Sequence, residues 1–158
     1  MENKIFKAKR HYVSCEQLLS STPDKIFLLL CPKREFDWLE TWKCDIVFTE
    51  SGFAESDCVF QTDVPGDVQE TWIIDRYEKN EIVQFIKFSV PRVIRYGIIL
   101  TDNKNGTTTA RWEQTITSLN NDGNIYIENF SDSEFEKKIK GLEKILNNYL
   151  TNGKMLRA

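Results

Sequence analysis

Hydrophobic and polar positions change period three times along this chain. From Ile5 to Val13 the pattern has strand character. Thr22-Pro23-Asp24 then gives a helix start, with a capping hydroxyl, Pro at the first helical position and an acid in the first turn. Pro32 ends that helix after Cys31 and opens a second short one over Lys33–Leu39, leaving Ile26, Phe27, Leu30, Phe36 and Trp38 to pack on something larger. Between Trp42 and Thr117 the period falls to two. Trp42, Cys44, Ile46 and Phe48 share one side of a predicted strand, Cys58, Phe60 and Thr62 mark the next, and Trp72, Ile74 and Arg76 share a face of the third. Strands over Ile82–Val90, Val93–Thr101 and Thr107–Thr117 complete an antiparallel meander, with turns at Ser51-Gly52, Pro65-Gly66-Asp67 and Asp102–Gly106.

The third change is to a helical period. Ser131 and Glu134 stand in capping-box spacing, flanked by Phe130 and Phe135 as a hydrophobic staple. Phe135, Ile139, Leu142, Leu146, Tyr149 and Leu150 form one apolar stripe, Glu134–Lys138 and Glu136–Lys140 are favourable pairs on the other side, and Asn152-Gly153 supplies the stop. The predicted helix is about 19 residues, roughly 28 Å long. Gly141 in its middle costs about 1 kcal/mol and predicts a close approach or a bend.

At 158 residues the chain supports a single domain spanning residues 1–158. An aromatic content of 12% excludes intrinsic disorder, and a net charge of -3 gives no general attraction to nucleic acid or anionic lipid. The longest apolar run, Ile26–Cys31, is far short of a membrane span, so no stable membrane insertion is expected. The start of the chain has positive charge without an apolar stretch behind it, so a cytoplasmic location is the default expectation. Cys15, Cys31, Cys44 and Cys58 form no paired metal motif, and His11 is the one possible nitrogen ligand; reduced thiols and no metal are expected.

The run L-L-L-C-P-x-x-E-x-D-W-x-x-x-W from Leu28 to Trp42 is more specific than the element order, as are S-G-x-A-E at Ser51–Glu55 and C-V-F at Cys58–Phe60. With these motifs the chain resembles the START-related, pollen-allergen-like SRPBCC superfamily, in its polyketide cyclase/dehydrase-like bacterial branch, from about Tyr12 to Gly153. The resemblance implies an α+β helix-grip fold: a curved antiparallel sheet, two short helices after the first strand, and one long C-terminal helix gripped by the sheet. It also implies a cavity for a hydrophobic or amphipathic small molecule, lipid or polyketide-like. It implies no reaction, since such folds serve carriers, receptors, cyclases and co-chaperones alike.

Strand parity then names the cavity wall as Trp42, Phe48, Phe60, Trp72, Ile74, Tyr96 and Trp112, joined by Trp38 from the short helices. Phe135, Ile139, Leu142 and Leu146 face it from the helix. Arg76, on the Trp72 face, either takes an anionic partner such as Glu70, Glu113 or a ligand carboxylate, or reaches solvent at the rim. Glu35, three residues before Trp38, is expected to anchor the helices to the sheet rather than act in catalysis, and Arg111 and Glu113 to form a surface ion pair with Arg95. His11 reads as an exposed strand residue. No phosphate loop, nucleophile elbow or metalloprotease motif is present, and no catalytic residue or cofactor is assigned. Three functions fit: a small-molecule binding protein, a cofactor-independent cyclase or dehydratase, or a co-chaperone-type interaction module with an apolar outer patch at Val83, Phe85 and Ile99. A homodimer is compatible with each.

Overall fold

A computed structural model describes residues 6–157. Seven strands form one antiparallel sheet in the order β1-β7-β6-β5-β4-β3-β2. They are β1 (Arg10–Leu19), β2 (Asp45–Phe48), β3 (Val59–Asp63), β4 (Gln69–Glu78), β5 (Ile82–Phe88), β6 (Arg92–Asp102) and β7 (Thr108–Ser118). Apart from the return of β7 to β1, each strand pairs with its neighbour in sequence, the meander that period-two patterning predicts. Helix α1 (Pro23–Leu29) and a 3₁₀ turn (Arg34–Asp37) follow β1, and α2 (Asn121–Glu128) and α3 (Asp132–Asn152) follow β7.

The long helix α3 forms where its caps predict. Ser131 accepts a hydrogen bond from the Glu134 amide, Phe130 and Phe135 pack with tilted rings whose centroids are 6.3 Å apart, and Gly153 closes the end in the left-handed region at φ 67°. Its 21 residues span roughly 31 Å across the concave side of the sheet. Phe135, Ile139 and Leu146 are buried in the core with Val13, Leu19, Ile116 and Ala110. Gln17, buried in β1, ties helix and sheet together: its Nε2 donates to the Ile139 carbonyl at 2.8 Å and its Oε1 accepts from Trp112 Nε1 at 2.7 Å.

Three local expectations are corrected. The first strand runs over Arg10–Leu19, because inward Val13, Cys15, Gln17 and Leu19 alternate through a stretch whose Ser14, Glu16 and Gln17 look polar in sequence. Helix α2, which the apolar pattern does not announce, is started by Asn120, whose side chain accepts from the Gly123 amide. Gly123 is required there, since a Cβ at this position would lie 2.0 Å from the Pro91 carbonyl oxygen. Gly141 is the opposite case: a Cβ would meet nothing within 4 Å, so no element approaches it.

Candidate functional site

Over the β1 and β7 side of the sheet α3 packs to closure. Toward β3, β4 and β5 it does not, and a cavity of about 580 Å³ remains. Its walls are Trp38, Trp42, Phe60, Trp72, Phe85, Tyr96 and Trp112, with Gly141, Leu142 and Ile145 of α3 opposite. The rings form an unbroken series: Trp42 to Phe60 at 6.3 Å, Phe60 to Trp72 at 5.2 Å, Trp72 to Tyr96 at 5.9 Å and Tyr96 to Trp112 at 5.9 Å between centroids. Every indole N–H has an acceptor: Leu29 O for Trp38, Pro32 O for Trp42, Thr62 Oγ1 for Trp72 and Gln17 Oε1 for Trp112. The cavity therefore presents ring faces and edges, with its tryptophan polar handles already used.

Of the residues expected to line it, Trp38, Trp42, Phe60, Trp72, Tyr96, Trp112 and Leu142 do. Ile74 is fully buried beside the cavity as core, and Phe135, Ile139 and Leu146 belong to the closed side of α3. The helix faces the cavity about one position off the stripe's centre, through Lys138, Gly141, Leu142 and Ile145.

Phe48 and Arg76 are corrections with one cause. In β2 the register shifts between Ile46 and Phe48, and all four residues of this short edge strand are exposed, Phe48 at 62%. In β4 a bulge at Asp75 lies between Ile74 and Arg76, so Asp75 and Arg76 both face outward and Tyr77 returns inward onto Phe27. Arg76 is half-exposed and grips Glu78 through Nε and Nη2 at 3.0 and 3.2 Å. It is a rim residue with no route into the cavity. Glu113 pairs with Arg111 on its own strand at 3.3 Å and accepts from the Tyr12 hydroxyl at 2.9 Å, in place of the expected pairing with Arg95. His11 meets Asp132 at 2.6 Å and packs its ring at a tilt against Phe130, fastening β1 to the start of α3.

The ionisable groups inside the cavity are others. On β5 the inward row is Val83, Phe85 and Lys87, which also removes the outer apolar patch expected at Val83 and Phe85. Lys87 has a side chain only 13% exposed; its Nζ sits 4.5 Å over the Trp72 ring, 5.7 Å from that of Tyr96, and 3.5 Å from Glu70 Oε1. Burial pushes its ammonium down to about 8, outweighing the opposing pull of the Glu70 carboxylate. Glu70 is shared with buried Arg92 at 3.7 Å, and Arg92 is held by Asp67 at 2.8 Å and lies over the Tyr126 ring. Across the cavity Glu35 does not anchor the helices; backbone carbonyls accept the neighbouring indoles instead. Its carboxyl faces the cavity, and burial raises it to about 8 against the smaller opposing effect of Lys138. The Tyr96 hydroxyl is raised by burial too. Alternation on β5 carries a signal for Lys87, but Ile82, Ile86 and Phe88 make the other face equally apolar and hide it. No cluster of His, Cys, Asp and Glu able to hold a metal occurs among the described residues, and no helix among them is long and apolar enough to cross a membrane.

This arrangement of meander, gripping sheet and long helix is a helix-grip fold, the fold of the solved structures it resembles. Among solved structures the chain is similar to norcoclaurine synthase from Thalictrum flavum (TM-score 0.68, 9% identity, covering 92% of this chain and 88% of that one). It is also similar to Ara h 8.0201 (TM-score 0.62, 15% identity, 91% and 100% covered) and to DynU16, a protein of the dynemicin biosynthetic locus (TM-score 0.65, 15% identity, 93% of this chain). The chain spans about half the length of DynU16, 49%. No family model and no curated protein matches the sequence.

Proposed function

We propose that the protein binds a hydrophobic or amphipathic small molecule, of lipid or polyketide-like character, in the cavity between the sheet and α3. The observation that carries this reading is the aromatic wall. A cavity of about 580 Å³ has the volume of a drug-sized ligand site, and its chemistry is that of such sites: mostly apolar surface with few polar groups. A helix packed only for stability would close on these rings, as α3 closes on β1 and β7. The likeness to norcoclaurine synthase, whose structure is described in complex with dopamine and hydroxybenzaldehyde, supports a cavity of this kind at the level of the fold.

A second reading, a cofactor-independent cyclase or dehydratase, is favoured by one observation: Glu35 and Lys87 are displaced toward neutrality from opposite sides in the same cavity. Titration with neutral phenylnaphthylamine and anionic anilinonaphthalene sulfonate tests the binding reading. Saturable uptake at one site per chain, with energy transfer from tryptophan, is the expected result. Absence of saturable binding for both probes contradicts it.

A further inference from the structure

Lys87 is unlike a lysine kept for solubility: it lines the cavity, with Glu70 as its ion-pair partner. Its stem follows the inward row of β5 and its amine ends over the Trp72 and Tyr96 rings, away from bulk water. The carboxylate beside it stands 3.5 Å away, beyond the 2.7–3.2 Å of a full-strength hydrogen bond, and is shared with Arg92 at 3.7 Å. The amine therefore faces open cavity without a tight partner. We propose that Lys87 is an amine nucleophile for carbonyl compounds: the cavity takes a hydrophobic aldehyde or ketone and holds it as a reversible imine on Nζ. This rests on the reading of the cavity as a small-molecule site and specifies the chemical class of its ligand.

The step balances within the cavity. The lone pair of neutral Nζ forms a C–N bond to the carbonyl carbon as the C=O π pair moves to oxygen. The nitrogen loses a proton and the oxygen gains one, giving a carbinolamine. A proton from solvent water reaches the carbinolamine hydroxyl. The C–O bond then breaks, water leaves and the nitrogen lone pair closes the C=N bond. The iminium N–H proton returns to solvent water, so amine plus carbonyl gives imine plus water. The groups facing Lys87 are Glu70 from β4, Arg92 from β6 and Lys138 from α3. With Nζ lowered to about 8, about a quarter of Lys87 is free amine at pH 7.5, against about one in a thousand for an ordinary exposed lysine.

The test is reductive trapping on the whole protein. Cinnamaldehyde with cyanoborohydride at pH 7.5, followed by peptide mapping, should label Lys87 at least about tenfold faster than the other lysines. The α-amino group, which ordinarily titrates near the same pH, serves as the internal reference. Saturating phenylnaphthylamine should protect Lys87 and leave the α-amino group labelled, and Lys87→Arg should remove the fast lysine adduct while leaving that of the α-amino group. Labelling of Lys87 no faster than of surface lysines, or undiminished by the competitor, overturns the proposal. If cinnamaldehyde displaces the dye while Lys87 stays unlabelled, the imine is wrong and the binding reading stands. If the dye does not bind and Lys87 is not labelled, both fail.

Discussion

The two sides of α3 solve the same packing problem differently. Toward β1 and β7, Phe135, Ile139 and Leu146 are buried, and Gln17 hydrogen-bonds both the helix backbone and Trp112. Toward β3, β4 and β5, about a quarter turn away, the helix offers Gly141, half-buried Leu142 and Ile145 to a wall of large rings, and the space between stays open. Aromatic residues are abundant on that wall, so the opening does not come from a shortage of apolar volume in the sheet. On the helix side one of the residues bordering the space, Gly141, has no side chain. One side is built for stability and the other for occupancy.

The sharpest way to break this contrast is to cut the same amount from each side. Ile139→Ala should lower the unfolding free energy by about 2–5 kcal/mol, because a fully enclosed site cannot collapse around the loss. Leu142→Ala should cost about 1 kcal/mol or less, since that side chain already borders a space. Chemical denaturation of both variants measures the difference, and equal losses would mean that the cavity is closed in solution.

The ionisable groups extend the contrast to pH. Glu35 keeps its proton in the folded state up to about 8 but ionises near 4.3 when unfolded, so between those values the unfolded chain binds fewer protons and stability falls as pH rises. Glu35→Gln escapes this loss. The variant should match the parent at pH 4 and exceed it by about 1–3 kcal/mol above pH 8, a figure moderated by the cavity's contact with solvent. A constant difference across pH 4–9 would show that the carboxyl ionises as an ordinary surface acid.

The outward and inward faces of β4 give the smallest contrast. Trp72→Ala should weaken probe binding about tenfold or more through loss of the ring at the centre of the wall. Arg76→Met should leave binding within about twofold, because its guanidinium is spent on Glu78 outside the cavity. Parallel fluorescence titrations decide it; comparable losses would place Arg76 inside.

Much of this architecture is legible in the sequence wherever a residue has one local job. Ser131, Phe130 and Gly153 set the ends of α3, Pro23 sets the start of α1, and Trp72, Tyr96 and Trp112 alternate onto one face. What alternation cannot carry is a bulge. One extra residue at Asp75 turns Arg76 from inward to outward, and the shift in β2 does the same to Phe48. Helix α2 escaped because its stability lies in Asn120 and in the tight seat of Gly123 rather than in an apolar stripe. Lys87 was hidden by a strand apolar on both faces, so its position becomes readable only once pairing with β4 and β6 fixes which side is concave.

The open side of α3 is tested most directly by plugging it. Gly141 can accept a Cβ without meeting any atom within 4 Å, and an alanine there should stabilise the helix by about 0.5–1 kcal/mol while leaving probe binding intact. Gly141→Phe places a ring over the same space. If the cavity is the binding site, titration of Gly141→Phe with phenylnaphthylamine should show at least a tenfold loss of affinity with no loss of thermal stability. Undiminished binding by that variant would contradict the account, because the ligand would then have to sit elsewhere.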